Sequence, residues 1–535
     1  MATIHVVGSG PSGAHFALTR LERGDDVVMV DVGNPAPDAV APARGFDELK
    51  TELDDPTAYF LGADFEGVML PSQAPDLYGI PPSKRYVFEP PTGMALRTEG
   101  FAPLLSFARG GLAQAWTAGS YTYDDADLAP FPFEHADIAS CYDEVAGRIG
   151  INGAADDLAQ FIPPHENLLA PLRLDSHSAL LLERYAGLRE RLNRKHGFYL
   201  GRSRIATLTA DREDRGQCTY LGRCLWGCPV SALYTPSTTL DACRRFSRFR
   251  YVDGTVVRSF RYEDGRVRAL CVAPAAGGPE HEIPVDHLVL AAGAIGSTEI
   301  VLRSVYRATG ELLALPGLMD NRQLYVPFIT LRMLGRPPST DAYQYHLLAI
   351  GLPAETRADY VHGQITTLKS ALMHPIIQRL PFDLATATSV ARAAHAALGV
   401  INVNFRDTRR PDNVIQLTHA PGSDQPLLTI RYAPDADEPA RIAAALKRIR
   451  GGLRSLGCFI PPGMIELRPM GSSVHYAGTL PMSAENAPWT TDALGRCRNF
   501  ENLLVVDGAA LPAMPAKNPT FTLMANAVRI ARAAF

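Results

Sequence analysis

Excess charge of either sign is missing from this 535-residue chain: 52 Lys and Arg stand against 56 Asp and Glu, a net of −4. No basic field exists to draw in nucleic acid or an anionic membrane. Lysine is scarce, at six residues against 46 Arg, which reads as a compositional habit and not as a functional signal. Cysteine is scarce too. Eight in 535 residues is no disulfide framework, and a reducing compartment would keep them as thiols or ligands. Long apolar runs are absent. The most apolar stretch, 384–405, is interrupted by Arg392, His395, Asn402 and Asn404, so no membrane span of about 18 residues is expected. No leader is recognised, because the chain enters its first motif within eight residues; the expected compartment is the cytoplasm. There is no internal repeat, and the 44 Gly and 42 Pro are spread along the chain as loops.

What is present is an ordinary globular composition, 46% hydrophobic and 20% charged, long enough for several domains at about 150 residues each. The first motif opens the chain. The apolar run Ile4-His5-Val6-Val7 meets Gly8-Ser9-Gly10-Pro11-Ser12-Gly13 and a helical stretch, which Gly24 ends. A second strand then closes at Asp31, 18 residues after Gly13. Strand, Gly-x-Gly-x-x-Gly, helix, strand and acid together specify a dinucleotide site. Gly8 makes the turn and Gly10 admits a pyrophosphate to the helix start at Ser12. Gly13 lets helix and strand approach, and Asp31 accepts from a ribose hydroxyl. The triplet does not separate FAD from NAD.

Two further apolar runs, His287 to Gly293 and Asn502 to Gly508, suit strands covered on both faces of a parallel sheet. Ligands gather at the carboxyl ends of such strands, here near Ala292, Gly293 and Asp507. Asn518-Pro519-Thr520 then precedes a helix from Phe521 to Ala534, with Asn518 as its cap and Pro519 as its first residue. That helix start is either an ordinary cap or a positive dipole end placed against a reduced, anionic flavin. Upstream stands His475, in Ser472-Ser473-Val474-His475-Tyr476-Ala477-Gly478.

These residues resemble the glucose-methanol-choline (GMC) family of FAD oxidoreductases. Four blocks match in order: the N-terminal glycine motif, Arg109-Gly110-Gly111 through Ala115-Trp116, Ala291-Ala292-Gly293 through Ser297, and His475 through Asn518-Pro519-Thr520. The Gly110 to Thr117 segment is similar to the pyranose-oxidase branch and bacterial sugar-oxidising members. The resemblance implies an enzyme that oxidises a hydroxyl of a sugar, glycoside or polyol to the carbonyl. His475 would take the hydroxyl proton while the carbon-bound hydrogen leaves as hydride to flavin N5, and Asn518 would orient the substrate oxygen. Asp507 and Gly508 would line the ribityl and pyrophosphate side, and the backbone of Val257 would meet the adenine. Members with attached FAD carry His where this chain has Ala115, so FAD is expected to be held non-covalently.

The family implies a fold in the α/β class, α+β overall. A Rossmann-type FAD domain (1–45, 96–150, 216–310 and 465–535) interleaves with a substrate domain (46–95, 151–215 and 311–464) built on a largely antiparallel sheet backed by helices. Residues 46–100 read as Pro-rich loop over the cofactor, 155–215 as largely helical, 325–432 as strands, and 438–456 as a helix. Val414 to His419 and Leu427 to Tyr432 form a hairpin around Pro421-Gly422-Ser423-Asp424. Tyr343, Tyr345, His346 and Asn404 are polar candidates for the substrate side.

Cys218, Cys224 and Cys228 lie within eleven residues, with a Pro after the last. They resemble iron–sulfur loops, including the three-iron loop of FAD sugar dehydrogenases in the same family, or else they are packing thiols. A [3Fe-4S] cluster would make the enzyme a dehydrogenase that passes electrons to a protein partner; without it, O2 or another acceptor takes them. A sterol or aliphatic alcohol is the alternative substrate. Rival classes are a flavin monooxygenase or halogenase, which has no need of the His475 and Asn518 blocks, a lyase with structural FAD, which a substrate that bleaches the flavin would exclude, and a non-catalytic binding protein, against which the presence of both His475 and Asn518 argues. The oligomeric state is not legible.

Overall fold

The computed structural model describes all residues except 1–2, 38–41, 66, 69–79, 213, 420–421, 423–424 and 535. A five-stranded sheet, parallel throughout, organises one half of the molecule. Its order is Leu503–Val505, His287–Leu290, Thr3–Val7, Asp26–Val30, Phe249–Val252. The central strands are buried on both faces, which is why they read as continuous apolar runs. Helices Pro236–Arg244, Pro11–Glu22, Thr520–Ala533 and His135–Ile149 pack against one another in that order, and the first two lie on this sheet. Helix Gly293–Thr309 packs under the antiparallel three-stranded sheet of Thr255–Glu263, Arg266–Pro274 and His281–Pro284.

The other half is a seven-stranded antiparallel sheet. Its order is Cys458–Phe459, Arg322–Thr330, Leu398–Phe405, Val361–Thr367, Leu348–Leu352, Tyr199–Arg202, with Glu466–Leu467 also paired to Arg322–Thr330. Alternation sorts its two faces. Leu324, Val326, Leu348, Ile350, Ile365, Ile401, Val403 and Phe405 form a core with Leu181, Tyr185 and Leu192 of helix Ser176–His196 and Ala445, Ile449 and Leu453 of helix Glu438–Ser455. The opposite face carries Gln323, His362, Gln364, Asn402 and Asn404.

The expected hairpin exists, as Val414–Thr418 against Leu427–Arg431. Its expected turn residues Pro421, Ser423 and Asp424 lie outside the described residues. Its side chains Ile415, Leu417, Leu428 and Ile430 join the core of the parallel sheet, not that of the large antiparallel one. Two expectations are corrected. Within 155–215 only Ser176–His196 is a long helix, and the rest is loop, short strand and one 3-10 turn. Within 46–100, Phe46–Glu52 and Pro56–Leu61 are helices: Asp55 caps the second, and Phe46, Tyr59 and Phe60 cluster on Trp226. Among the described residues no helix is long and apolar enough to cross a membrane.

Candidate active site

The glycine turn lies at the carboxyl end of the central strand. Gly8 has φ +99°, and a Cβ on Gly13 would lie 2.1 Å from Gly8 O, so only glycine lets the helix close on the strand. A Cβ on Gly10 would meet nothing within 4 Å: the backbone there faces open space. The second block folds onto this turn. Gly110 N donates to Ser9 Oγ at 2.8 Å, and Gly111 backs against Gly10. Arg109 pairs with Asp253 at 3.0 Å and lies over the Tyr251 ring. Asp31 accepts from Ser9 Oγ and from Tyr251 OH, and burial pushes its carboxyl up to about 6. Gly254 N donates to Val32 O and Thr255 N to Asp31 O, which brings the strand carrying Val257 beside Asp31.

At the neighbouring strand ends, Ala292 precedes helix Gly293–Thr309. Asp507 accepts from Ser297 Oγ at 2.5 Å and from Ala509 N at 2.9 Å, and burial raises it to about 6. Ser12 is buried in the first helical turn. Helices Pro11–Glu22, Gly293–Thr309 and Thr520–Ala533 have no acidic residue in their first turns. The open backbone at Gly10, the positive helix starts without acidic residues and the carboxylates at two strand ends fit the pyrophosphate and hydroxyls of a dinucleotide. Trp116 donates from Nε1 to Tyr234 O at 2.7 Å, and Ala115 precedes it with a bare methyl.

His475 reaches the same end of the sheet because its loop is tied to the strand end: Gly478 N donates to Gly508 O at 3.1 Å and Leu480 N to Ala509 O at 2.8 Å. The loop is strained. Val474, a β-branched residue, has φ +58°. Asp320 holds it there, accepting from Gly471 N at 2.6 Å and from Ser473 Oγ, while Ser473 Oγ accepts from His475 N at 3.0 Å. Burial pushes the Asp320 carboxyl up to about 8.

The next residue, Asn321, fixes the imidazole. Its Nδ2 donates to Phe405 O at 2.9 Å and Pro515 O at 2.8 Å, so its Oδ1 is the end turned to His475 Nδ1, at 2.9 Å. Nδ1 must therefore carry the proton, and Nε2 keeps its lone pair. Burial lowers the His475 pKa to about 4, so the ring is neutral near pH 7. Asn518 completes the pair. Its Oδ1 accepts from Gln364 Nε2 at 3.1 Å, and its Nδ2 lies 3.4 Å from His475 Nε2. One acceptor and one donor thus face the same point, an arrangement that can take the proton of a hydroxyl and hold its oxygen.

The expected cap role of Asn518 is corrected. The helix begins at Thr520 with Pro519 as cap residue, without a side-chain cap bond, because the Asn518 amide is engaged by Gln364 and His475. Lys517, fully buried, pairs with Asp127 at 2.5 Å and Asp124 at 3.3 Å beneath this segment. Asn321, Asp320, Gln364 and Lys517 were not singled out in the sequence. Each acts through a contact 151 or more residues away along the chain, and none was part of a motif read for function.

The cysteine loop is likewise corrected. Among the described residues no group of three or more His, Cys, Asp or Glu side chains is set to hold a metal ion. The loop is engaged in packing, with Trp226 buried among Phe46, Tyr59 and Phe60. Burial pushes the Cys218 thiol up to about 11 and Cys224 higher still, so both are protonated packing thiols in this structure. Tyr343 and Tyr345 pack with this region, whereas His346 and Asn404 belong near the His475 side.

Residues 409–527 match the family model described as GMC oxidoreductase, a segment that contains both His475 and Asn518. The chain is 23% identical to C-glycoside 3-oxidase of Microbacterium trichothecenolyticum, over 99% of this chain and 95% of that protein. It is 26% identical to paromamine 6'-oxidase of Streptomyces fradiae, over 99% of this chain and 90% of that one. Its fold superimposes on the crystal structure of pyridoxine 4-oxidase from Mesorbium loti with a TM-score of 0.61, at 16% identity and 99% coverage of both chains. The chain thus carries a GMC oxidoreductase domain over residues 409–527, and GMC oxidoreductases are FAD-binding enzymes.

Proposed function

We propose that this protein is an FAD-dependent oxidase or dehydrogenase that converts a hydroxyl of a sugar, glycoside or polyol to the carbonyl. The observation that carries this reading is the pair His475 and Asn518: an Nε2 left unprotonated by the Asn321 bond, and an amide N–H 3.4 Å from it. FAD, when bound, supplies the acceptor for the carbon-bound hydrogen and its electrons. His475 Nε2 takes the hydroxyl proton, and burial keeps it free to do so at neutral pH. Asn518 Nδ2 donates to the substrate oxygen and holds it as charge develops there. Gly8, Gly10, Ser12, Gly110 and Gly111 would hold the pyrophosphate, with Gly13 and Arg109 shaping the same turn. Asp31 and Val257 would meet the adenosine, and Ala292, Gly293, Asp507, Gly508, Pro519 and Thr520 would meet the flavin side.

Ala115 and Trp116 would lie along the cofactor, and alanine offers no attachment point for a covalent bond, so acid or heat should release intact FAD. The two separate cores support an interleaved division into cofactor and substrate domains. All eight cysteines are unpaired, which supports a reducing, cytoplasmic setting. Relatives named C-glycoside 3-oxidase, paromamine 6'-oxidase and 6'''-hydroxyparomomycin C oxidase support the substrate class.

The test is anaerobic mixing of the FAD-loaded protein with sugars, glycosides and polyols, followed by loss of flavin absorbance. At least one should bleach the flavin. His475→Ala should lower that rate roughly 10²–10⁴-fold while FAD stays bound. Survival of the rate in His475→Ala to within a few fold would overturn the assignment.

A further inference from the structure

The face of the seven-stranded sheet turned away from its helices is polar, and its polar groups are unmet. The strand pairing sets His362 and Gln323 opposite Asn404, and Gln364 opposite Asn402, so all five side chains share that face. Asn404 and His362 have no exposure, and His346 has 2%. Among the described residues, Asn404 Oδ1 and Nδ2, His362 Nε2, His346 Nε2 and Asn402 Oδ1 find no hydrogen-bond partner. Buried amides and imidazoles are nearly always partnered in a folded interior, so five open atoms on one sheet face mark a surface that a polar ligand completes.

This face flanks the catalytic pair on both sides. Gln364, two residues from His362, donates to Asn518. Phe405, next to Asn404, accepts from the Asn321 that fixes His475. A Cβ on Gly119 would come within 2.5 Å of Gln364 Nε2 and 3.4 Å of His346 Nε2, so backbone closes the same corner.

The carboxylates close to this face are engaged, and buried Arg204 beside Tyr121 adds a cation. Lys517 is matched by Asp124 and Asp127, Arg357 by Asp124, and Asp320 is turned to Gly471 and Ser473. Burial lowers His346 and His362 to about 3, so both imidazoles are neutral and offer one donor and one acceptor each.

We propose that Asn404 and His362, with Asn402 and His346 beside them, form a subsite for the non-reacting hydroxyls of an uncharged polyhydroxylated ring, and that a protonated amino sugar is selected against. Neutral amides and imidazoles match hydroxyls, which donate and accept at once. An ammonium group only donates, and it would enter a buried site with no free carboxylate. The inference rests on the hydroxyl-oxidising reading and adds the substrate class and its recognising residues.

The test uses FAD-loaded enzyme and paired probes: neutral hexopyranosides, their 2-amino-2-deoxy counterparts, and simple aliphatic alcohols. Neutral hexopyranosides should show kcat/KM about tenfold or more above their amino counterparts. Asn404→Leu should raise KM for the neutral sugar about tenfold, a larger factor than any fall in kcat, and calorimetric Kd should rise in parallel. Asn404→Asp should narrow or reverse the preference against the amino sugar. If Asn404→Leu fails to retain FAD, Asn404→Ser carries the same comparison. Amino sugars that match or outperform neutral ones, or a KM and Kd unmoved by either variant, overturn the subsite. Bleaching by aliphatic alcohols alone also overturns it but leaves hydroxyl oxidation standing. If no hydroxyl compound bleaches the flavin, the oxidation reading itself fails.

Discussion

Asn321 Oδ1 lies 2.9 Å from His475 Nδ1, across 154 residues of sequence, and this contact decides which imidazole nitrogen is free to act as base. Replacing Asn321 by Leu removes the acceptor and leaves the tautomer unassigned. The rate of flavin reduction should fall roughly 10–100-fold with FAD still bound. Asn321→Asp tests the sign. A carboxylate beside Nδ1 favours the imidazolium and raises the pKa from its buried value of about 4. The base works only when neutral, so activity is lost as pH falls through that pKa. The acid limb of kcat/KM should therefore move upward by about one unit or more in Asn321→Asp, and a limb that stays in place would remove Asn321 from its positioning role.

The two inner glycines of the nucleotide turn should separate folding from cofactor binding. Gly10 has φ −60°, which alanine adopts, and its Cβ would enter open space. Gly10→Ala should leave the apoprotein melting temperature within about 2 °C of wild type while weakening FAD roughly tenfold or more, by denying the pyrophosphate its approach. Gly13→Ala sets a Cβ 2.1 Å from a backbone oxygen, so it should lower the apoprotein melting temperature itself. Calorimetry of both apoproteins, with FAD titrations monitored by flavin fluorescence, makes the comparison. Equal FAD affinity in Gly10→Ala and wild type would count against the site.

Lys517 sits one residue before Asn518 with no exposure, between Asp124 and Asp127. Lys517→Met removes the cation and leaves buried Asp127 without its cationic partner, while Asp124 keeps Arg357. Truncating one partner of such a cluster typically costs about 3–5 kcal/mol. Urea unfolding should show a loss of that order, with the Asn518 segment loosened and the oxidation rate reduced as well. Adding Asp127→Asn to Lys517→Met removes one of the two charges and should restore part of the stability. A double variant no more stable than Lys517→Met would mean that charge is not the cause.

How much of this was legible before the coordinates depends on where each residue's partners lie. The glycine turn and Asp31 could be read because one local strand–helix–strand unit contains the whole device. Helix Thr520–Ala533 and strand His287–Leu290 were legible from apolar spacing alone. His475 and Asn518 were named through family resemblance, and their mutual approach was not readable. Asn321, Gln364 and Asp320 were invisible because their meaning comes from sheet register: Gln364 reaches Asn518 only once Val361–Thr367 has paired with Leu398–Phe405. The cysteine loop misled because close spacing along the chain says nothing about where thiols point. Trp226, between two of them, decides the local packing.

Asp320 offers a test in which the pH dependence itself is the signal. Burial holds its carboxyl near 8 in the folded protein, against an ordinary value of 3.8, while Ser473 Oγ and Gly471 N donate to it. A raised folded-state pKa means that the folded protein binds the proton more tightly than the unfolded chain. The associated stability is complete below pH 3.8 and is lost as pH rises through about 8. Asp320→Asn has no such proton, so its pH dependence lacks this component, although it also loses one acceptor for the 471–475 loop. The stability of wild type relative to Asp320→Asn should therefore shrink between pH 6 and pH 9 by about 2–3 kcal/mol, at 1.36 kcal/mol per unit of the interval below 8. Urea midpoints of both proteins at the two pH values measure it directly, because every other titrating group is common to the pair and cancels. A difference constant across that interval would mean that Asp320 is ionised in the folded protein, with Ser473 and Gly471 donating to a carboxylate. The strained Val474 turn that aims His475 would then rest on a buried negative charge, and Asp320→Asn should cost more activity than stability.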